Sequence, residues 1–345
     1  MKHPDDEAGA VAEAVDRQLR ALVAEVRSSS PIHDLMAYHL GLEPGPGGSP
    51  GASRAKRVRP VLLLAVVETL GGDVEAALPA AAAVELLHNA ALVFDDIQDR
   101  ARLRRGRPAL WCLCGTDQAM NVGVALQALA HLAAARGAPR DRAQALGEEL
   151  GLCALRLAEG QWLDLRFAAG ERPSIEGYMR MCGAKTASLV SSASYLGALL
   201  APREDRTEPA RRLGYHLGMQ LQIEDDVAGI WGDGAAMGKE AGDIERRQKT
   251  LPLLYAFGVA GAPPEVAGLE ALYYSDRPLR REDAAAIRRF AAELGWKAYA
   301  EDMARLHRDL ALEALHEMAD ARDSPAEAVI RRLAGPVPAA TSARA

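Results

Sequence analysis

Apolar residues recur along this chain in long stretches at helical spacing. Residues 7–28 carry them on one side and predict a first amphipathic helix. Further helices are predicted at about 58–71, 78–101, 116–136, 140–168, 174–200, 206–231, 250–259, 282–297 and 299–321. Val and Ile form no alternating runs, and no hairpin signal of the Asn-Gly type occurs. The pattern therefore predicts an all-α protein. Residues 43–54, Glu-Pro-Gly-Pro-Gly-Gly-Ser-Pro-Gly-Ala-Ser-Arg, exclude regular structure and predict a flexible loop. The Pro- and Ala-rich stretch 335–345 predicts a disordered tail. No repeat or linker divides residues 1–334, so a single large helical bundle is expected.

Two acidic clusters interrupt this apolar background. One is Asp95-Asp96-Ile97-Gln98-Asp99, the other Glu224-Asp225-Asp226. Each follows an apolar run, Leu86 to Phe94 in the first case and Leu217 to Ile223 in the second. A carboxylate beside apolar surface is costly unless a counter-charge neutralises it. Hard divalent cations, which prefer oxygen ligands, are the natural candidates. On a helix Asp95 and Asp99 stack one turn apart, and Asp96 lies roughly 100° around. Mg²⁺ takes one or two carboxylates and completes its shell with water or phosphate oxygens, so the pattern suits a diphosphate. A solvated acidic face is the usual fate of a charge run, but the apolar flanks fit it poorly.

Composition narrows the picture. Hydrophobic residues make up 49% of 345 positions and aromatics 5%, which favours close-packed helices and allows a large core. The net charge of −6, with scattered basic residues, argues against nucleic acid. Cys112, Cys114, Cys153 and Cys182 form no C-x-x-C pair, so zinc is not expected and a reducing cytoplasm is. The N-terminal Met1-Lys2-His3-Pro4-Asp5-Asp6-Glu7 does not read as a signal peptide. No stretch of about 20 residues reads as a membrane span. The longest candidate, Ala187 to Ala201, is rich in Ser and Gly and reads as a buried helix.

A diphosphate site also needs cations. Lys56-Arg57-Val58-Arg59-Pro60 opens a helix after the glycine-rich loop. Arg104-Arg105-Gly106 follows the first acidic cluster, Lys185-Thr186 lies in Cys-Gly-Ala-Lys-Thr, and Gly238-Lys239 follows the second cluster. Each alone reads as a surface charge or a helix-end interaction. Their joint occurrence around two acidic clusters is what points to a site.

In this order and spacing the chain resembles the trans-isoprenyl diphosphate synthases, the polyprenyl synthetase family, and looks geranylgeranyl diphosphate synthase-like. The matching pieces are Lys-Arg-Val-Arg-Pro, Asp-Asp-Ile-Gln-Asp with Arg-Arg-Gly-Arg-Pro, Gly160-Gln161-x-x-Asp164, Lys185-Thr186, Gln222-x-x-Asp225-Asp226, Gly238-Lys239 and Lys249-Thr-Leu-Pro. The resemblance implies a helical bundle of the isoprenoid synthase type around a central diphosphate and metal cavity. It implies Mg²⁺, with Mn²⁺ as an alternative, held by Asp95, Asp96, Asp99, Asp225 and Asp226. Arg104, Lys185 and Lys239 would hold an allylic diphosphate. Lys56, Arg59, His88 and Arg105 would hold isopentenyl diphosphate. Thr186 and Gln222 would offer oxygen dipoles to an allylic cation. The double bond of isopentenyl diphosphate would then attack, with a proton lost to the released diphosphate. A lone His on an apolar helix is more often a core residue, but His88 lies two turns before Asp95 on the same face. Family members are usually homodimers, so an isologous helical interface is expected. Product release leaves room for a peripheral membrane contact.

The chain departs from the family pattern in places. Gly229 stands where the second motif has its third aspartate, and Asp233 could contribute through water. Val124 replaces part of a common Gly-Asp pair, Gln248 replaces a phosphate-reaching lysine, and Ala55 replaces a glycine. A growing product should run along the first acidic helix toward its N-terminal end. Ala91 and Ala90 are small there, which leaves the pocket open toward Leu87, Val84 and the helix of Val124 and Gln127. A C20 product is expected, with longer ones allowed. Two other readings compete. A terpene cyclase of the same fold would not need Lys56, Arg59, His88 and Arg105. A weakly active partner subunit is suggested by Gly229 and Gln248.

Overall fold

Helix α4 (Val74–Gln98) is the axis of the fold. It begins where Asp73 Oδ1 accepts the Ala76 backbone N–H at 3.1 Å, satisfying a free donor of the first turn. Every residue from Ala80 to Leu87 is buried, so the helix is enclosed on all sides. By length and hydropathy α4 matches a membrane span, which corrects the expectation that no stretch does. Its alanine-rich run is instead wrapped by other helices, with 72% of the apolar window buried inside the protein. The computed structural model describes residues 4–43, 57–137, 139–232, 242–258 and 263–319, together with 324, 328 and 329.

Around α4 pack α1 (Pro4–Glu25), α3 (Val58–Thr69), α6 (Thr116–Gly137), α7 (Ala143–Ala168) and α9 (Ser188–Leu200). Outside α9 lie α10 (Thr207–Trp231) and then α14 (Trp296–Met318). Helices α11 (Leu251–Gly258), α12 (Pro264–Tyr273) and α13 (Arg281–Glu293) form a smaller cluster around Trp296 and Tyr273. These bounds follow the periodicity closely, with three kinds of difference. The predicted 174–200 helix is α8 (Ile175–Cys182), a π-helical turn (Gly183–Ala187) and α9. Short helices α2 (Ile32–His39), α5 (Leu110–Cys114) and α12 were not legible, because two or three turns carry too little pattern. A hairpin of β1 (Leu103–Arg104) and β2 (Arg107–Pro108) also occurs. Both loop residues have positive φ, Arg105 at 54° and Gly106 at 74°, as a primed turn demands. Arginine is rare in that conformation, which is why the sequence concealed the turn. The expected loop at 43–54 lies, from residue 44 on, outside the described residues, as does the expected tail.

One buried ion network fixes the entry to α3. The side chain of Arg57 is 2% exposed, and its guanidinium donates to Asp16 on α1 at 2.8 Å. It also donates to Glu85 on α4 at 2.6 Å and to Leu40 O, just past α2, at 2.6 Å. Asn89 Nδ2 adds a bond to Glu85 Oε1 at 2.9 Å. Arg57 itself takes a left-handed φ of 48°, held by these bonds. Removing one partner of such a network leaves buried carboxylates uncompensated. Arg57→Met is therefore expected to destabilise the protein by about 3 kcal/mol or more, read as a lower urea midpoint than wild type.

Candidate active site

The first acidic cluster ends α4, with Asp99 as its C-cap residue. The hairpin that follows folds Arg104 back over it. Arg104 reaches Asp96 Oδ1 through Nη2 at 2.5 Å and Nε at 2.9 Å, and Asp95 Oδ2 at 3.3 Å. The same tight turn sends Arg105 the other way. Its guanidinium lies 3.4 Å from Asn89 Oδ1 and from His39 O. Two consecutive arginines thus serve two places.

Lys185 enters from the π-helical turn. Such a turn inserts one extra residue and re-aims its side chains. Lys185 Nζ lies 2.6 Å from Asp164 Oδ2 on α7 and 3.1 Å from Asp95 Oδ1. Gly160 on α7 makes this approach feasible. A Cβ there would stand 2.2 Å from Lys185 N and 2.6 Å from its Cα, so no larger residue fits without moving that backbone. The Gly160-x-x-x-Asp164 spacing therefore has a mechanical meaning: the glycine admits the turn and the aspartate, one helical turn on, receives its lysine.

The second cluster is wired through the protein. Thr186 Oγ1 donates to Gln222 Oε1 at 2.7 Å, and Gln222 Nε2 donates to Asp226 Oδ1 at 3.1 Å. Asp226 Oδ2 accepts from Tyr178 Oη on α8 and from the Leu251 N–H, the latter at 2.8 Å. Both oxygens of this buried carboxylate are held by protein donors. Through these bonds Asp226 joins α8, α10 and α11. Asp225, next to it, is exposed.

A separate cationic group lies further back on α4. Arg59 Nη1 is 3.2 Å from His88 Nε2. Arginine is a donor only, so Nε2 accepts and the His88 proton resides on Nδ1. Burial, then Arg59 and Arg105, push His88 well below its usual pKa, so it is neutral. Arg59 Nε is buried with no hydrogen-bond partner, an orphan donor suited to an anion. Lys56, Asp233 and Lys239 lie outside the described residues.

The carboxylates are held in tension. Burial raises the Asp96 carboxyl against the pull of Arg104. Asp99 is exposed at its surface, yet desolvation by the protein around it and repulsion from Asp95 bring it up to about 6. Burial outweighs three hydrogen bonds and lifts Asp226 to about 7. Desolvation alone would lower Lys185, but Asp95 and Asp164 outweigh it and raise its pKa. Asp95 Oδ1, despite its ion pair with Lys185, and Asp96 Oδ2 are buried without hydrogen-bond partners. Orphaned carboxylate oxygens within an all-oxygen donor set fit a hard divalent cation.

The structure thus brings together Asp95, Asp96, Asp99, Arg104 and Lys185, and separately Arg59, His88 and Arg105. In the sequence Asp164 stands within a motif, but its spacing alone assigns it no role. Tyr178 and Asn89 carried no signal, since a tyrosine or asparagine inside a helix reads as ordinary packing. Val124 is 61% exposed on α6. Lys249, next to Gln248, donates to Arg247 O at 2.8 Å and lies 5.0 Å from the Tyr274 ring centroid. Desolvation, then Arg247, lowers its pKa to about 8.

Comparison with known proteins agrees with this geometry. The polyprenyl synthetase family profile matches residues 51–289. A geranylgeranyl diphosphate synthase of Mycobacterium tuberculosis is 36% identical over 242 residues, covering 69% of each chain. The crystal structure of a polyprenyl synthetase from Streptomyces coelicolor A3(2) superposes with a TM-score of 0.83 at 32% identity, covering 95% of this chain and 98% of that one. A polyprenyl synthase from Caulobacter crescentus, complexed with calcium and isoprenyl diphosphate, superposes with a TM-score of 0.80 at 28% identity, covering 95% of each. An all-α bundle, an acidic cluster facing basic side chains and a family match over most of the chain lead to one conclusion: this protein belongs to the polyprenyl synthetase family and is a trans-prenyltransferase.

Proposed function

We propose that this enzyme condenses isopentenyl diphosphate with an allylic diphosphate to give a linear product, with C20 geranylgeranyl diphosphate as the main one. The observation that carries this reading is the presence of two cationic groups along one helix. Arg104 and Lys185 stand over the acids. Arg59, His88 and Arg105 form a second anion site near residues 88 and 89. A cyclase, which takes a single diphosphate substrate, has no use for the second group. The calcium and isoprenyl diphosphate of the Caulobacter relative support a metal-assisted site.

Asp95, Asp96, Asp99 and Asp225 would hold Mg²⁺, with Mn²⁺ as a substitute, and Asp226 would position α10 beneath them. Bound there, the cation supplies Lewis-acid stabilisation of the leaving diphosphate. Arg104 and Lys185 exchange carboxylate for phosphate oxygens when the allylic substrate arrives. Arginine's fork of donors suits that exchange. Arg59 and Arg105 fix the second diphosphate. The allylic C–O bond breaks, and diphosphate leaves with the electron pair. The Thr186 and Gln222 oxygens face the resulting cation. The double bond of isopentenyl diphosphate then forms the new C–C bond, and the adjacent carbon releases its proton to the departed diphosphate.

Product length follows from the face of α4 that Asp95 shares. Ala91, four residues back, is half-buried, whereas Ala90 is 1% exposed and belongs to the core. Leu87 and Val84 lie beyond on the Ala91 side. A homodimer is part of the same proposal. Adjacent helices α6 and α7 expose Met120, Val124, Leu152, Leu155 and Trp162 at 48% to 66% of their surfaces. So much apolar surface on neighbouring helices suits a second copy of the chain. A cytoplasmic location is consistent with four unpaired cysteines.

The first test is a product assay with Mg²⁺, labelled isopentenyl diphosphate and C5 to C20 primers. Wild type is expected to accumulate C20, and Ala91→Phe to stop at shorter chains. Cyclic hydrocarbon without isopentenyl incorporation would reject the proposal. Gly160→Ala should displace Lys185 from Asp95. Its expected signature is a kcat lowered roughly 100-fold with the far-UV circular dichroism unchanged. Leu155→Glu should convert a dimer into a monomer by light scattering, and an unchanged mass would reject the α6–α7 interface.

A further inference from the structure

Arg105 is held differently from its neighbour Arg104. Among the described residues it forms no ion pair with a carboxylate. Its guanidinium meets only neutral oxygens, His39 O and Asn89 Oδ1, at 3.4 to 3.5 Å. Such contacts are long for hydrogen bonds and fix it weakly. Burial, and then Arg57, Arg104 and Arg59 against the pull of Glu85, push its pKa down, although an arginine remains a cation. It also sits in the turn of a hairpin only two residue pairs long, which does not hold its shape alone. The end of α2 supplies the missing support. Tyr38 Oη donates to Pro108 O on β2 at 2.8 Å, and the Arg107 guanidinium carbon lies 3.8 Å from the Tyr38 ring centroid. His39 Nε2 is 3.0 Å from Asn89 O on α4. A carbonyl only accepts, so Nε2 carries the proton and donates. Tyr38 and His39 are both buried. Burial, then Arg105 and Arg104, lowers the His39 pKa to about 3, so this donor stays neutral.

We propose that Tyr38 and His39 are positioning residues for the second diphosphate: they tie the hairpin to α4 and so set where the Arg105 guanidinium stands. The inference rests on the reading of Arg59, His88 and Arg105 as the isopentenyl diphosphate site. Both residues act through Arg105 rather than on the substrate. Tyr38 joins α2 to β2, the strand that follows Arg105, and His39 joins α2 to the α4 backbone beside His88. One short helix thereby sets the distance between the hairpin and α4. The support consists of neutral groups for a physical reason. A carboxylate here would neutralise Arg105 and compete with diphosphate. Carbonyl, hydroxyl and neutral imidazole groups locate the arginine and leave its charge for the anion. Arg104 shows the contrast, since it lies against Asp95 and Asp96. The competing role, merely closing α2 onto the bundle, would cost stability without discriminating between two substrates.

Isothermal titration calorimetry on the full chain separates the two roles. Isopentenyl diphosphate is titrated in EDTA, where Arg104 and Lys185 stay on their carboxylates and the second group is read alone. A C10 allylic diphosphate with Mg²⁺ is the control. Tyr38→Phe removes only the hydroxyl and keeps the ring beside Arg107. It is expected to weaken isopentenyl diphosphate binding about fivefold and allylic binding by less than about twofold. His39→Met should weaken the former roughly tenfold. His39→Gln, which keeps an N–H donor, should restore it to within about threefold of wild type. In an Arg105→Ala background, Tyr38→Phe should change the affinity by less than about twofold, because residues acting through one group are not additive. Wild-type affinity in Tyr38→Phe and His39→Met, equal losses for both substrates, or a full Tyr38→Phe effect without Arg105 would each overturn the inference. A wild type that binds no isopentenyl diphosphate in EDTA would overturn it together with the second anion site. A wild type that binds isopentenyl diphosphate but extends no primer would sink the condensation reading alone, and the affinities would still decide the roles of Tyr38 and His39.

Discussion

Carboxylates placed inside an apolar helical bundle need counter-charge, and the rest of this site is arranged to provide it. Asp95 and Asp96 lie near the end of a helix whose middle is enclosed on all sides, where water cannot solvate them fully. Arg104 comes from the hairpin directly after that helix, and Lys185 from a distorted turn more than eighty residues later. Neither cation saturates the acids, since Asp95 Oδ1 and Asp96 Oδ2 remain without hydrogen bonds. The acids are thus neutralised but not satisfied. That state suits exchange, because carboxylate and phosphate oxygens offer arginine and lysine similar partners.

The departures from regular helix lie where the chemistry requires a change of direction. The π-helical turn rotates Lys185 and Thr186 toward the acids, while Gly160 lets α7 approach that turn at backbone distance. The tight turn at Arg105 and Gly106 sends two neighbouring arginines to different partners, Asp96 and Asn89. Asp226 joins α8, α10 and the start of α11 through one carboxylate, and burial outweighs those bonds and raises it to about 7. Backbone strain and buried polar groups thus concentrate around a single region, as expected where positioning is part of function.

Departures from the family pattern also acquire reasons in three dimensions. Gly229 is not an empty position, since Asp243 fills the space above it. The Gln248 carbonyl accepts from Tyr273 Oη at 2.7 Å, which ties down the turn that contains Asp243. Val124 is directed outward on α6, where it adds to an apolar surface rather than to a product pocket. These residues look like losses when read in line with the motifs. In the fold, two of them belong to one local rearrangement and the third to a surface.

Much of the fold and of the candidate site was legible in the chain's own pattern. The long helices, the all-α class, the two acidic clusters and most basic residues followed from spacing alone, because helix periodicity and the cost of isolated charge act locally along the chain. What stayed hidden depended on contacts between distant segments. The tying of Asp226 to the protein itself needed Tyr178 and Leu251, which lie 48 and 25 residues away. The pairing of Lys185 with Asp164, and the filling of the Gly229 position by Asp243, likewise required packed helices to meet. The sequence by itself determined which elements form and which charges must find partners. Only the tertiary structure decided which partners they found, because side-chain proximity between helices is set by packing and not by spacing along the chain.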